Sequence, residues 1–320
     1  MIVHFILSGE TLESISEEIH LENPKYLKEF HNTHCAREDI IQDTLIPGKK
    51  LIIPGINKVR EYNSLNDAPF KNPKLNPEVP FSPENFSRIY AVVNKELYEN
   101  ELEKRHAVLT YTVSLKWMRN ENGFHIFHLF KNNFSDGQGN MMTDLASESI
   151  RSLNPLEIKT DLKGNLVSIQ LTQQTMDHFE KIMKRLSDLF PDKYAEIYLD
   201  EFERAVRNRS IFNSRMKNDV FIKNYFVSLR NPFANGKSFF QQCVGEENTD
   251  ITLQQKIENP EYDNEIVILQ NPQYSESDIE FSGKYTLYTK TGLIKNIDLH
   301  YTVFQFGFKN SSFFTVTELS

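Results

Sequence analysis

The chain has 320 residues, 39% of them hydrophobic and 25% charged, with a net charge of −8. That length suits two domains and leaves ample material for one large core. The acidic balance argues against a nucleic-acid binder, whose affinity for phosphates comes from clustered Lys and Arg. Cys35 and Cys243 lie far apart, so reduced structural thiols are expected rather than a disulfide framework. No run approaches the roughly 18 apolar residues of a membrane span. A secretory leader opens with basic residues and a longer apolar run. Here Met1, Ile2 and Val3 lead straight to His4. The expectation is a cytoplasmic protein if Met1 is the native start, and a cell-wall-associated one if a leader was removed or export takes another route.

The first predicted strand is the apolar run from Val3 to Leu7, turned sharply by Ser8, Gly9, Glu10 and Thr11. Leu12, Ile15 and Ile19 then fall on one helical face, with Ser8 or Thr11 placed to cap it. Asn23-Pro24 opens a second helix, because proline suits a first helical position, and Tyr26, Leu27 and Phe30 point to its core. Leu51, Ile52 and Ile53 form a short strand bounded by Pro47-Gly48 and Pro54.

This strand, helix, helix, strand order, with its Ser-Gly-Glu-Thr-Leu turn and Pro-Gly-Lys-Lys-Leu-Ile-Ile-Pro ending, resembles the LysM family over residues 2–54. The resemblance implies an α+β chain that opens with a small βααβ LysM module, residues 1–55. It also implies a shallow groove for N-acetylglucosamine-containing glycan, such as peptidoglycan in a bacterium. That groove would be formed by Ser8, Gly9, Glu10 and Thr11 on one side and Leu45, Ile46, Pro47 and Gly48 on the other. Backbone amides would meet the acetamido groups and apolar side chains the sugar faces. Two departures stand out. Glu10 replaces the usual aspartate, and the stretch from Asn32 to Pro47 is long, with His34, Cys35, Arg37, Glu38 and Asp39 in an extension running to Asp43.

Residues 56–83 carry Pro69, Pro73, Pro77, Pro80 and Pro83 without apolar periodicity, which predicts a proline-rich linker. Residues 84–320 read as a larger antiparallel-sheet domain with a helical insertion. Leu109, Tyr111, Val113, Leu115 and Trp117 alternate with polar residues, and a second strand follows Gly123. A helix is expected over 141–153, a hairpin around Gly164, and helical stretches over 172–190, 192–207 and 211–229. Strands return over 265–269, 283–290, 293–308 and 312–318. Strands bracketing helices suggest α+β. The order is similar to that of lipoprotein-type half-barrels, an analogy of fold alone.

Few residues invite chemistry. His31, His34 and Cys35 lack the further ligands of a zinc site, so no metal is expected. His125 and His128 are three apart in a strand and therefore face opposite ways. Glu196, Asp200, Glu201 and Glu203 beside Arg204 and Arg207 read as a solvated helix face. Cys243 sits among Phe239, Phe240, Gln241 and Gln242, as a buried thiol does. No G-x-S-x-G elbow, H-E-x-x-H pair or Gly-rich phosphate loop is present. The expectation is therefore a binding or assembly protein with no catalytic residues and no cofactor. Its partner would be a glycan, or protein components of a phage-like contractile injection or type VI secretion baseplate in which LysM docks protein.

Overall fold

The computed structural model describes residues 2–319 apart from 43, 101–102, 138, 245–248, 274–277 and 306. It divides into two compact units. One comprises residues 1–77 with 233–236, the other residues 78–232 with 237–320.

In the N-terminal unit, β1 (Ile2–Phe5) pairs antiparallel with β2 (Lys50–Ile53), in register from Ile2 opposite Ile53 to Phe5 opposite Lys50. Between them lie α1 (Leu12–Glu18), α2 (Lys25–His34) and a 3₁₀ turn, Arg37–Asp39. Ile6, Ile15, Leu21, Leu27, Ile41 and Leu51 make the core. The expected βααβ module closing at Pro54 is not what forms. A third helix, α3 (Ile56–Ser64), starts at once after Gly55 and sends Val59 and Tyr62 into the same core. Tyr62 stacks on Tyr26 at 4.6 Å between ring centroids. The Asn63 amide accepts from Glu22 N–H at 2.9 Å and donates to the His20 carbonyl at 2.9 Å. Asp67 then takes the Tyr26 hydroxyl and the Asn23 amide, and Ala68 is buried. Residues 56–77, expected as linker, thus fold as part of this unit. Alternation of Val59 and Tyr62 with charged neighbours at helical spacing was the overlooked signal.

The second unit corrects the expected α+β balance. Strand outweighs helix in the chain, 40% against 29%, because one eleven-stranded antiparallel sheet dominates it. Its strands are β3 (Ser87–Glu99), β4 (Lys104–Glu121), β5 (Phe124–Ser135), β6 (Leu156–Thr160), β7 (Leu166–Leu171), β8 (Lys237–Val244), β9 (Thr249–Ile257), β10 (Glu265–Pro272), β11 (Ile279–Tyr288), β12 (Ile294–Gln305) and β13 (Phe308–Leu319). Their order is β7-β6-β5-β4-β3-β13-β12-β11-β10-β9-β8, so the last strand pairs with the first and joins two meanders into one sheet. The β3–β13 register runs from Ile89 opposite Leu319 to Glu99 opposite Lys309.

Period-two patterning gives this sheet a covered face. On it lie Tyr90 and Val92 of β3, Tyr111, Val113 and Leu115 of β4, Phe127 and Leu129 of β5, Ile158 of β6, Tyr285 and Leu287 of β11, and Val316 of β13, all buried. The helices follow β5 and β7: α4 (Met141–Ser152), α5 (Gln173–Asp177), α6 (Phe179–Leu189), α7 (Lys193–Arg207), α8 (Arg209–Lys217) and α9 (Val220–Tyr225). α4, α6 and α7 share a core of Leu145, Leu186, Ala195 and Leu199. α9 covers the sheet itself. Phe221 and Tyr225 lie against Tyr90, Phe226 against Phe127, and the Asn224 carbonyl accepts from the Tyr285 hydroxyl at 3.1 Å. Reaching β5 and β11 at once requires the sheet to curl around this short helix.

A buried cation locks the curl. Arg230 donates to the carbonyls of Pro80 at 3.2 Å, Lys163 at 3.1 Å and Gly292, and its guanidinium lies 4.4 Å from the Phe81 ring centroid. The β6–β7 turn, the β11–β12 turn and the segment entering the unit therefore meet at one point. Burial lowers the Arg230 pKa to about 10. Gly292 has φ +66, and a Cβ there would stand 1.8 Å from the Pro80 carbonyl oxygen, so the turn tolerates only glycine.

Candidate functional site

The two loops expected to form a groove are held side by side by Ile6. Its N–H donates to the Lys49 carbonyl at 3.0 Å, and its own carbonyl accepts from Gly48 N–H at 2.8 Å. Gly9 and Gly48 have φ of +89 and +84, which a side chain would strain, yet a Cβ at either would meet nothing within 4 Å. These glycines shape the loops rather than make room inside the fold.

Several of the expected groove residues have structural tasks. Glu10 accepts from Leu7 N–H at 2.7 Å and stands 2.8 Å from His4 Nε2. The Leu7 N–H bond, followed by the His4 bond, holds its carboxyl below the ordinary range. The side chain longer than aspartate thus closes its own turn. Thr11 caps α1, accepting from Ser14 N–H at 3.1 Å while its own N–H donates to Ser14 Oγ at 2.9 Å, a reciprocal capping box. Leu45 packs against the core. Ser8, Gly9, Ile46, Pro47 and Gly48 are exposed. Beside them Leu7 is 63% and Ile46 55% exposed, and Val3 and Phe5 are exposed at alternate positions of β1. Exposed apolar groups gathered in this way mark a contact surface.

The extension before these loops is folded onto the unit. His31 is buried. It accepts from Ile52 N–H through Nδ1 at 3.0 Å and donates through Nε2 to the Asp39 carbonyl at 2.8 Å, which requires the Nε2–H tautomer. Asn32 brackets Ile41 with two 2.9 Å bonds, and Lys49 donates to the Glu38 carbonyl at 2.7 Å. His34 is exposed and Cys35 half-buried, while Asp43 lies outside the described residues. Among the described residues no group of three or more His, Cys, Asp or Glu is arranged to hold a metal ion.

In the second unit His125 is buried on the covered face, where its Nδ1 accepts from the Trp117 indole N–H at 3.2 Å and its ring meets Phe81 edge-on. Burial lowers its pKa. His128 lies on the other face, opposite Glu157, and desolvation lowers its pKa too. Glu201 pairs with Arg204 at 2.6 Å and Glu203 with Arg207 at 2.6 Å on the surface of α7. The Cys243 thiol donates to Asp250 at 2.8 Å, and that carboxylate, followed by burial, raises its pKa. Half-buried and bound to an acceptor, this thiol is held as the weakly nucleophilic protonated form.

Sequence reasoning missed both the Arg230 knot and a set of buried amides on β8–β10. A lone arginine after an apolar run carries no signal of burial, and glutamines in a strand read as surface. Among the described residues, no helix is long and apolar enough to cross a membrane.

No family model matches the chain, and no curated protein matches it. Solved structures with similar chain traces include lipovitellin, in a structure of its lipid–protein interactions. It is 9% identical, with a TM-score of 0.41 over 73% of this chain and 25% of that one. MucB in complex with MucA(peri) is 9% identical with a TM-score of 0.19, over 72% of this chain and 51% of that one. A putative outer membrane lipoprotein-sorting protein domain from Vibrio parahaemolyticus is 8% identical with a TM-score of 0.20, over 73% and 86%. The chain thus spans a quarter of lipovitellin and half of MucB. With TM-scores below 0.5, these likenesses establish neither a family nor a function.

Proposed function

We propose that the protein is a non-enzymatic binding protein whose N-terminal unit holds an N-acetylglucosamine-containing glycan, such as peptidoglycan, at the paired loops 8–11 and 45–48. The observation that carries this reading is the juxtaposition of the loops through Ile6, with Leu7 and Ile46 exposed beside them. Apolar side chains can lie against sugar rings, while the exposed backbone of Gly9 flanks the same strip. The LysM resemblance of residues 8–12 and 46–54 supports N-acetylglucosamine as the sugar. Sedimentation with insoluble peptidoglycan and with chitin tests it: the intact protein should pellet with the polymer, and free protein in the supernatant at every loading would overturn the reading.

A second reading rests on β1. Among the described residues the small sheet has two strands and the other edge of β1 carries none, and Ile2, Val3 and Phe5 are 60%, 52% and 58% exposed. Such an edge can accept protein. This favours docking in the baseplate of a phage-like contractile injection or type VI secretion system. Binding of purified baseplate, sheath or tube proteins, lost on Val3→Lys, is its test; no binding by any of them would exclude it.

A further inference from the structure

Among the described residues, ten buried side-chain nitrogen and oxygen atoms have no hydrogen-bond partner, and eight of them lie on one face of the large sheet. They are Asn94 Oδ1, Ser238 Oγ, Gln242 Oε1, both amide atoms of Gln255, both of Gln270, and Asn310 Oδ1. The strand register explains the gathering. Ser238 opposes Gln255, Gln255 opposes Gln270, Gln270 opposes Gly283, and Gly283 opposes Leu299. Leu299 opposes Phe314 and Phe314 opposes Asn94, so one row crosses the covered face from β8 to β3. The neighbouring row, Ile257, Ile268, Tyr285, Ile297, Val316 and Val92, is almost wholly apolar. Polar character changes within one step along the strands.

A buried amide without partners is costly, and native folds carry few. Gln255 and Gln270 are 0% exposed and Ser238 1%. Six uncharged residues with unmatched atoms on one face of the sheet call for a partner. That partner must both donate and accept, because the orphaned set holds carbonyl oxygens, amide nitrogens and a hydroxyl. It has no reason to be charged, since every orphan is neutral. Phe240, Phe281 and Phe314 share the face and offer ring surfaces. Asn310 opposes Tyr98, which lines an open groove of about 720 Å³ with Arg105, Ala107 and Phe308 at the same end of the sheet.

We propose that the covered face of β8–β10, with Asn94 and Asn310, is a binding site for hydroxyl groups, supplied by a small neutral saccharide or polyol or by ordered water. The site belongs to the second unit and loops 8–11 and 45–48 to the first, so either can fail without the other. Titration calorimetry of the full chain with glucose, maltose and glycerol, beside water-¹⁷O relaxation dispersion, distinguishes the sources. Gln255→Met and Gln270→Met conserve volume and remove the amides, and Ser238→Ala supplies a milder variant should either fail to fold. Saturable binding of a probe, weakened about tenfold or more in each variant, assigns the site to a saccharide or polyol. No probe binding, but fewer long-lived waters and a lower Tm in the variants, assigns it to water. Variants as stable as the parent, with no probe bound and no long-lived water lost, overturn the proposal.

Discussion

The N-terminal unit carries apolar side chains where solvent reaches them, at Ile2, Val3, Phe5, Leu7 and Ile46, whereas the large sheet hides unmatched amides at Gln255 and Gln270. Each region inverts the usual partition in the opposite sense. A single exposed leucine means little, but several exposed apolar side chains beside two glycine-shaped loops support the proposed binding surface. Unmatched polar groups inside a sheet carry the converse message, because burial charges them for every bond they lack. The difference teaches where each unit can be altered. Substitution at the exposed strip should change binding and spare stability, and substitution at the interior should change stability first.

The sharpest form of that contrast is a pair of glycines. Gly292→Ala drives a Cβ into the Pro80 carbonyl at positive φ, and should cost more than about 3 kcal/mol in chemical denaturation. Removing the cation next to it comes second. Arg230→Met leaves the Pro80, Lys163 and Gly292 carbonyls without their shared donor, an expected loss of about 2–3 kcal/mol. Gly9→Ala, also at positive φ but with nothing within 4 Å, should cost only about 1 kcal/mol. Equal losses at Gly292 and Gly9 would erase the distinction between the two regions.

His125 adds a pH signature to the interior. Its pKa is lowered by burial, so the folded protein binds its proton less readily than the unfolded chain. Stability from this residue is full above the ordinary histidine value of 6.5 and falls as pH drops below it. Urea denaturation across that range should show the decline, and His125→Phe should flatten it. His128 shifts in the same direction, so a His128→Gln control assigns the remaining slope.

Legibility followed the strength of local pattern. The alternation from Leu109 to Trp117 is visible because β4 buries one face and leaves Thr110, Thr112 and Ser114 on the other. The turn around Gly164 and the helix over 141–152 carry equally local signals. β3, β8 and β9 carry no such local pattern. Asn94, Lys95 and Glu96 interrupt the apolar rhythm of β3, and β8 and β9 are rich in glutamine. Their pairing is set across the sheet, by partners as distant as β13, which no local window contains. Prolines in 56–83 masked α3 in the same way, since only tertiary contact with Tyr26 and Glu22 shows that this stretch belongs to a core. At the candidate surface the turn residues were legible, but the internal duties of Glu10 and Thr11 follow from side-chain geometry.

The smallest structural effect belongs to the surface residues beside the paired loops. Leu7→Ser with Ile46→Ser should change unfolding free energy by less than about 0.5 kcal/mol per site, because both side chains already face solvent. Sedimentation of this double variant and the parent with insoluble peptidoglycan is the direct measurement. The parent should pellet with the polymer, and the variant, equally well folded, should stay in the supernatant. A parent that does not pellet, or a variant that pellets as fully as the parent, would contradict the proposed glycan binding.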